Sequence, residues 1–441
     1  MNQDVNTVII GSGICGLSVA HFLSKKRSDF LVLESSNRAG GIIQTKIEKD
    51  FICENGPNTV LLNNEAIEEI IKDHNLWSEL QFPKESSNKN RFVLHKNKLT
   101  KIPLNPLSFI FSPLFSFFSK IRILKEPFVN AHQENTSVFE FVKKRFGKEF
   151  HDQLIEPFIT GIYAGNTKKM SARHTLKMLW KLEQTHGSVI KGLLKSKRTK
   201  KNKINSFNFP KGLSQLISKI TKSMGSHLIL NFKVQQIIKH ENGYEITSES
   251  GKIFCKEIIC TVPAYSLKKL IDDSGLVSQL NKIIYSPVDV FHFGFEKKNI
   301  QNNKQGFGVL TKPSDGKSYL GILFNSRIFD YVSPAEKELF TVLVGGERQK
   351  HLCGMEPDKL KKLILEELED LIGHKGKIVI ENHYRWSKGI PQFNLDHTEL
   401  LNAIEEFENN NSKFHLIGNY FNGVSVSDCI QKSRDLVNII N

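Results

Sequence analysis

A glycine-rich turn near the start of the chain has the residue types that bind a phosphate. Gly11, Gly13 and Gly16 form the pattern G-x-G-x-x-G, and Glu34 follows roughly 20 residues further along. The first glycine permits a tight turn, the second lets the backbone approach a pyrophosphate, and the third brings a helix close to a strand. The free N–H groups of the helix N-terminus would face that phosphate. A carboxylate at Glu34 can accept the ribose hydroxyls, so the pattern predicts a dinucleotide site.

The residues that follow Glu34 favour FAD over NAD. Arg38, Gly40 and Gly41 form the pattern R-x-G-G, which begins four positions beyond Glu34. Two adjacent glycines let the chain pass close to a long, extended cofactor, and Arg38 offers a fixed cation near its phosphates. This pattern is typical of a large flavoprotein superfamily that includes the amine oxidases and the phytoene desaturases.

A second glycine turn lies at the other end of the sequence, in residues 418–428. Either Ser427 or Asp428 is expected to cap the final helix. The helix N-terminus would then face the N1–C2=O edge of the flavin ring, where negative charge collects on reduction. We therefore expect both glycine turns to meet around one FAD. The cofactor contacts expected in this turn are Gly418, Asn419, Gly423, Val424 and Ser425.

The elements that must position these residues follow from the apolar pattern. Residues 6–10 and 30–33 are short apolar strands, and residues 17–26 between them have helical spacing. Further elements are expected as helices at 137–150, 174–194, 359–372 and 428–440, a β-meander at 228–259, a strand pair at 306–310 and 319–324, a strand at 414–417, and an exposed basic loop at 195–203. The order predicts an α/β fold with a Rossmann-type cofactor unit.

The composition limits the classes of function. At 441 residues the chain is expected to form two or three structural units. Its formal charge of +15 suits anionic lipid or an acidic substrate, and no nucleic-acid motif accompanies it. The six cysteines have no metal-ligand spacing and are expected to be reduced core residues, so no metal is predicted. No secretory signal is visible, and the longest apolar run, residues 104–121, is too interrupted for a bilayer span.

Several segments resemble the family of oxygen-dependent, FAD-containing protoporphyrinogen oxidases, and the resemblance covers almost the whole chain. The sequences GxYAG at 161–165 and HGSVIKG at 186–192 are more specific than the glycine fingerprint. The other matching segments are 54–59 (ENGPNT), 90–94 (NRFVL), 156–160 (EPFIT), 179–183 (LWKLE), 207–213 (FNFPKGL), 306–310 (GFGVL) and 386–392.

The resemblance implies a reaction. Protoporphyrinogen IX would be oxidised to protoporphyrin IX in haem synthesis by three successive two-electron dehydrogenations, with O2 as acceptor and H2O2 as product. Coproporphyrinogen III is an alternative substrate, because its four propionates would use the positive charge of the protein better. An amine oxidase or carotene desaturase on the same scaffold, and a non-catalytic FAD-binding or haem-chaperone protein, are further alternatives.

The resemblance also assigns roles to residues of this chain. Arg91 would pair with a substrate propionate, Asn58 would lie beside the flavin ring and the substrate, and the backbone of Gly161 would face the reacting macrocycle. The family adds further cofactor contacts at Gly56, Val234 and Trp386.

Apolar residues would enclose the macrocycle. By the resemblance, Leu310 and Leu323 lie on either side of the tetrapyrrole. Some family members have a stacking Phe where this chain has Leu343, and this departure leaves the pocket shape and the substrate open. A porphyrinogen is a large apolar ring with acidic side chains, so an apolar slot with a cation at its mouth suits it.

The family fold is of the amine-oxidase type and implies three domains. An FAD-binding domain would comprise residues 1–86, 204–265 and 410–441, a β-sheet-rich substrate domain residues 87–103 and 266–409, and a helical membrane-associated domain residues 104–203. Residues 104–125 mix apolar side chains with Lys120, Arg122 and Lys125, and are expected to dock on an anionic membrane surface. The alternative is that they pack inside the substrate domain.

These expectations imply partners and a location. The partners would be the porphyrinogen, O2 and an anionic membrane surface, with a second copy of the chain and the next enzyme of the haem pathway as further candidates. The protein would be cytoplasmic and peripheral on the inner face of the cell membrane.

Overall fold

The computed structural model describes residues 2–195, 205–421 and 423–440, so most of the basic segment expected to form a loop at 195–203 lies outside the described residues. The strands are β1 (Asn2–Ile10), β2 (Phe30–Leu33), β3 (Thr45–Glu48), β4 (Phe51–Glu54), β5 (Val60–Leu62), β6 (Phe92–His95), β7 (Lys98–Lys101), β8 (Asn205–Phe207), β9 (Leu228–Ile229), β10 (Gln236–His240), β11 (Gly243–Ser248), β12 (Gly251–Cys260), β13 (Tyr285–Glu296), β14 (Gly308–Leu310), β15 (Gly321–Leu323), β16 (Lys337–Gly345), β17 (Ile380–Pro391) and β18 (Phe414–Leu416).

The helices alternate with these strands and are concentrated between β7 and β8. They are α1 (Ile14–Ser24), α2 (Glu65–Asp73), α3 (Glu85–Lys89), α4 (Pro106–Ile110), α5 (Phe117–Leu124), α6 (Val138–Phe146), α7 (Lys148–Phe150), α8 (Glu156–Tyr163), α9 (Ala172–Thr175), α10 (Lys177–His186), α11 (Val189–Lys195), α12 (Ser214–Met224), α13 (Ala264–Leu267), α14 (Ser274–Lys282), α15 (Asn325–Ile328), α16 (Pro357–Ile372), α17 (His397–Asn410) and α18 (Val426–Ile439).

The first sheet contains the predicted cofactor unit. Its strand order is β10-β11-β12-β1-β2-β9, and β18 pairs with β12. The pairs of β1 with β2 and with β12 are parallel, whereas β10, β11 and β12 form an antiparallel meander, as the sequence predicts. Helices α1, α2, α12 and α18 pack on one face of this sheet around an apolar core that contains Ile9, Leu17 and Ile430. The glycine turn therefore leaves the sheet at the carboxyl end of its central strand.

The second sheet has the order β17-β13-β16-β15-β14-β6-β7. The predicted pairing of β14 with β15 is confirmed, with Leu310 opposite Gly321, and Gly321 is in turn opposite Leu343 on β16. Because alternate residues of a strand share a face, Leu310, Leu323 and Leu343 all lie on one face of this sheet. Helix α16 packs against the sheet through an apolar core that it shares with β13 and β16.

Residues 106–195 form a helical segment with an apolar core of its own, around Phe141, Val142 and Ile159. The helix expected at 174–194 is divided into α9, α10 and α11, because Leu176 leaves the helical conformation and Gly187 ends α10 with φ +67. None of the helices that the structure describes combines the length and the apolar character needed to cross a bilayer. The three domain boundaries given above stay a prediction.

Two details at the ends of the chain differ from the sequence expectation. Helix α1 begins at Ile14 rather than at residue 17, so Gly16 lies inside its first turn. Helix α18 is capped by Ser425, whose side chain accepts a hydrogen bond from the backbone N–H of Asp428, so the prediction that Ser427 or Asp428 is the cap is wrong. All six cysteines are buried and free, as expected.

Candidate active site

The glycine turn at the start of α1 is closed by backbone contacts and open on one side. Gly11 has φ +98, and its N–H donates to the carbonyl of Leu33 at 2.8 Å. A Cβ added to Gly16 would lie 1.9 Å from the carbonyl oxygen of Gly11, so this turn requires glycine there. A Cβ added to Gly13 would meet no atom within 4 Å. The N-terminus of α1 is therefore accessible to an anion on that side.

Glu34 ends β2 and directs its carboxylate to the same turn. Its Oε2 accepts hydrogen bonds from the backbone N–H of Ser12 at 2.9 Å and from Ser12 Oγ at 2.7 Å, and its Oε1 accepts from the N–H and Oγ of Ser36. Burial raises the pKa of this carboxyl, but the hydrogen bonds from Ser12 and Ser36 outweigh it, and the pKa lies below its usual value. An ionised hydrogen-bond acceptor therefore lies beside the glycine turn.

The R-x-G-G segment packs directly on the glycine turn. The N–H of Gly40 donates to the carbonyl of Ser12 at 2.8 Å, and a Cβ on Gly41 would lie 3.2 Å from the Cα of Gly13. Arg38 uses its guanidinium to hold this loop, because Nη2 donates to the carbonyl of Gly41 at 2.6 Å. The cation that the sequence assigns to the phosphate region is thus fixed by its own loop.

The two ends of the chain meet at this place. Ser433 Oγ on α18 donates to the carbonyl of Cys15 in α1 at 3.1 Å. Lys432 Nζ donates to the carbonyls of Gly418 at 2.8 Å and of Gly423 at 3.0 Å, and so spans the second glycine turn. Asn419, Val424 and Ser425 belong to the same turn and are partly exposed. Together with the open side of Gly13, this arrangement fits a long dinucleotide cofactor that extends from the N-terminus of α1 to the N-terminus of α18.

A polar network joins the cofactor region to the second sheet. Asn58 Oδ1 accepts a hydrogen bond from Asn325 Nδ2 at 3.1 Å, and the carbonyl of Asn58 accepts one from Asn208 Nδ2 at 3.0 Å. Trp386 Nε1 donates to the carbonyl of Asn55 at 2.6 Å. Asn325 is the partner of Asn58 that sequence reasoning missed, because 267 positions separate the two residues.

Two further cofactor assignments have a clear structural setting. A Cβ on Gly56 would lie 2.0 Å from the carbonyl oxygen of Ile42. Glycine is therefore required at this position, because the backbone at Gly56 passes so close to the backbone at Ile42. Val234 packs at the edge of the core on the other face of the first sheet. It lies two residues beyond Phe232, whose N–H donates to the carbonyl of Glu34 at 2.8 Å.

Glu54 is a buried carboxyl in this region to which the sequence assigned no role. Its oxygens accept hydrogen bonds from Leu213 N–H at 2.7 Å, Thr45 Oγ1 at 2.8 Å and Asn208 Nδ2 at 3.1 Å. Burial raises the pKa of Glu54 to about 7, although these three donors act in the opposite direction. The residue ties β3 and β4 to the segment that precedes α12.

An apolar wall lies where α8 approaches the second sheet. A Cβ on Gly161 would lie 2.4 Å from Cδ2 of Leu310, so the backbone of α8 touches the face that carries Leu323 and Leu343. Phe158 and Ile162 are 47% and 44% exposed, and their spacing places them on the same side of α8 as Gly161. These two residues were missed, although the i, i+3, i+4 spacing of residues 158, 161 and 162 could have shown them.

Arg91 lies at the edge of this wall. It immediately precedes β6, where Val93 pairs with Leu310 in parallel register, and its guanidinium lies 4.5 Å from the ring centre of Phe307. Burial lowers the pKa of Arg91, and among the described residues no carboxylate forms an ion pair with it. The guanidinium is therefore available to an external anion.

Many apolar side chains between residues 104 and 128 of the helical segment are exposed, although Leu114 and Phe115 among them are buried. Phe111 is 78% exposed, Phe118 81% and Phe128 85%, and Lys120, Arg122 and Lys125 lie among them in the sequence. The other exposed apolar residues of this stretch are Leu104, Leu107, Ile110, Phe117, Ile121 and Leu124. Exposed apolar residues that are grouped in this way are typical of an interaction surface.

Known proteins are similar to this chain in sequence and in fold. The model of the family described as flavin-containing amine oxidoreductase matches residues 14–440. The chain is 31% identical to the chloroplastic protoporphyrinogen oxidase 1 of Spinacia oleracea, over 97% of this chain and 82% of the relative. It is 24% identical to coproporphyrinogen III oxidase of Bacillus subtilis (strain 168), over 98% of this chain and 97% of the relative. A crystal structure from Exiguobacterium sp. 255-15 has a TM-score of 0.85 at 21% identity, covers 99% of this chain and 98% of its own, and supports the fold alone.

Proposed function

Because the chain belongs to the flavin-containing amine oxidoreductase family and its 31% identical relative is a protoporphyrinogen oxidase, we propose that it oxidises protoporphyrinogen IX to protoporphyrin IX in haem synthesis. Bound FAD supplies a two-electron acceptor for each dehydrogenation. Over three dehydrogenations the macrocycle loses six hydrogens, and three molecules of O2 become three of H2O2.

The observation that carries this proposal is an unpaired arginine at the edge of an apolar wall. Arg91 has no carboxylate partner among the described residues, and Leu310, on the adjacent strand, is in contact with α8. A porphyrinogen presents an apolar ring to such a wall and a propionate to such a cation. We infer that Leu310, Leu323 and Leu343 exclude water from one face of the ring while Arg91 orients it.

The cofactor end has its own set of holding groups. The ionised carboxylate of Glu34 would accept the ribose hydroxyls, and the N-terminus of α1 would bind the pyrophosphate. The turn between Gly418 and Gly423, together with the N-terminus of α18, would carry the pyrimidine edge of the flavin, where the helix dipole favours negative charge. Asn58, held by Asn325, would lie between this end and the substrate.

A hydrogen-bond acceptor is available on α8. The carbonyl of Gly161 lies in the last turn of the helix, and no hydrogen bond to it is formed by the residues the structure describes. Carbonyls in the last turn carry partial negative charge. We infer that this oxygen accepts a hydrogen bond from a pyrrole N–H of the macrocycle and orients that pyrrole, while the proton that leaves nitrogen as the meso carbon is oxidised passes to solvent water. No catalytic histidine or cysteine is then needed.

The choice between two porphyrinogens is tested by turnover. Coproporphyrinogen III remains the second candidate, because the Bacillus subtilis relative is named for its oxidation. Its four propionates require more cations than Arg91 alone, so we expect kcat/KM to favour protoporphyrinogen IX. Purified protein is supplied with each porphyrinogen in air, and the fluorescent porphyrin is identified by chromatography. Faster formation of coproporphyrin III would reverse the assignment.

The remaining alternatives are separated by flavin reduction. In an amine oxidase or a carotene desaturase, a polyamine or a carotenoid would reduce the bound flavin in the absence of air. In a non-catalytic flavoprotein, none of these compounds would reduce the flavin. We expect reduction by the porphyrinogen alone. Reduction by putrescine or phytoene but not by a porphyrinogen would place the chain elsewhere in the family.

We also propose that the exposed apolar stretch of the helical segment rests on an anionic membrane, which would make the protein peripheral on the inner face of the cell membrane. The protein should float with vesicles that contain acidic lipid, and the double variant Phe111→Ser, Phe118→Ser should not. Ile439→Ser is the matched control, because Ile439 is 81% exposed on α18. Wild-type protein that stays in the bottom fraction of the gradient would refute membrane docking. Crosslinking in the same vesicles would show whether a second copy or the next haem-pathway enzyme binds.

A further inference from the structure

Helix α8 is tied at its N-terminus to the loop that follows β16. Glu156 is 3% exposed, and its Oε1 forms an ion pair with Nη1 of Arg348. The other oxygen, Oε2, accepts a hydrogen bond from Thr167 Oγ1 and lies 3.2 Å from His151 Nε2. Arg348 Nη2 donates to Asn166 Oδ1 at 3.3 Å. The guanidinium therefore connects both flanks of α8.

The same loop also holds the C-terminus of α8. Ala164 ends the helix in the left-handed conformation, with φ +48, and its carbonyl accepts a hydrogen bond from Glu347 N–H at 2.8 Å. A Cβ on Gly346 would lie 2.8 Å from that carbonyl oxygen, so the loop cannot move closer. The loop continues β16, which carries Leu343. Residues 346–348 therefore fix α8 relative to the sheet that forms the wall.

The charge of Glu156 makes this connection sensitive to Arg348. Burial raises the pKa of Glu156, but the hydrogen bond with His151 and the charge of Arg348 outweigh it, and the pKa lies below its usual value. An ionised carboxylate buried to this extent needs a cation beside it. The ion pair lies on the side of α8 opposite to Phe158 and Ile162, because residue 156 is half a turn away from them.

We propose that Arg348 is a positioning residue, which acts through Glu156 to set the distance between α8 and Leu310. This inference rests on the proposed function in that a porphyrinogen occupies the space beside Gly161. Without the guanidinium, the buried carboxylate draws water or turns outward, and the N-terminus of α8 moves with it. The carbonyl of Gly161 then loses its alignment with the macrocycle, and a misplacement of about 1 Å lowers a rate roughly 100-fold.

The test compares two arginines with matched surroundings. Arg348→Met removes the cation beside α8, and Arg27→Met removes the cation from the Arg27–Glu257 ion pair of the first sheet. The side chains of Arg348 and Arg27 are 22% and 23% exposed, and those of Glu156 and Glu257 are 4% and 8% exposed. Both variants should lose similar stability. Only Arg348→Met should lower kcat, by about 100-fold, with a smaller change in KM.

Two further variants separate the loss of the cation from a failure to fold. The kcat of Arg348→Lys should be at least tenfold higher than that of Arg348→Met, because a cation is restored. If Arg348→Met does not fold, the double variant Glu156→Gln, Arg348→Met leaves no unpaired charge but still lacks the link between α8 and the loop after β16, so its kcat should fall at least tenfold. FAD content is measured for every variant, and rates are expressed per bound flavin.

Hydrogen exchange gives a readout that needs no substrate. Amides of residues 156–165 should exchange at least tenfold faster in Arg348→Met than in wild type, and at the wild-type rate in Arg27→Met. Unchanged exchange together with unchanged kcat per flavin would overturn the proposal. If wild-type protein oxidised no porphyrinogen, the proposed function would fail, whereas the exchange rates would still decide whether Arg348 holds α8.

Discussion

Replacement of Gly161 by alanine tests the apolar wall with a single methyl group. The added Cβ would lie 2.4 Å from Cδ2 of Leu310, whereas carbon atoms in contact are about 3.5–4.0 Å apart. Leu310 must therefore move by roughly 1 Å or more, and α8 blocks its present position. Leu310 is only partly buried, so its side chain can turn away from α8, into the space proposed for the macrocycle.

The change should affect stability much less than activity. Alanine favours a helix over glycine by roughly 1 kcal/mol, and overpacking opposes folding by about 1–3 kcal/mol, so the net loss is at most about 2 kcal/mol. A displaced wall, however, misplaces the reacting carbon, and we expect kcat/KM to fall about 100-fold, which corresponds to about 2.7 kcal/mol in the barrier.

The assay is porphyrin formation in air, followed by fluorescence, with FAD content and melting temperature measured on the same samples. Gly192→Ala is the control, because its Cβ would lie 2.9 Å from Leu182 in the helical segment, away from the wall. The double variant Gly161→Ala, Leu310→Val removes the contact and should recover at least tenfold in kcat/KM. An FAD-loaded Gly161→Ala protein with wild-type kcat/KM would refute the contact between α8 and the substrate.

The other predictions concern three charged groups. Arg91→Ala should raise KM about tenfold and lower kcat less, because a propionate contact exists in the ground and transition states alike; Michaelis curves check this, and an unchanged KM rules out anchoring. Glu34→Gln should weaken FAD binding about tenfold without unfolding the apoprotein, as measured by flavin titration, because a neutral amide is a poorer acceptor of ribose hydroxyls. The pKa of Glu54 is raised to about 7 from 4.5, so the folded state binds a proton more tightly than the unfolded state. The free energy of unfolding is therefore highest below about pH 4.5. It falls by about 3 kcal/mol in total as the pH rises through 7. In Glu54→Gln the free energy of unfolding, measured in urea at pH 5, 6 and 7.5, should not show this fall. If the free energy of unfolding depended on pH equally in both proteins, the burial of Glu54 would be contradicted.

The sequence predicted the parts of the fold that depend on neighbouring residues. The strand at 30–33, the meander of β10, β11 and β12 and the pairing of β14 with β15 all follow from short apolar runs with turn residues between them. The cap of α18 was assigned to the wrong residue, since two serines and an aspartate lie close together and only the extended backbone at Ser425 distinguishes the cap. The broken helix at 174–194 was missed because its apolar spacing continues across both interruptions.

The site was predicted from motifs, and its remaining parts depend on contacts between distant segments. Gly161 and Leu310 were each named, but their contact joins residues that no local pattern connects. The same holds for the ion pair of Glu156 with Arg348. Glu54 lies within a quoted motif, yet its raised pKa arises from burial that only the folded chain creates.

Anaerobic mixing of the purified flavoprotein with protoporphyrinogen IX tests the central claim most directly. We expect the absorbance of the bound flavin near about 450 nm to fall in one turnover and to return when air is admitted, with protoporphyrin IX as the product. A flavin that stays oxidised in the presence of protoporphyrinogen IX, although dithionite reduces it, would contradict the account.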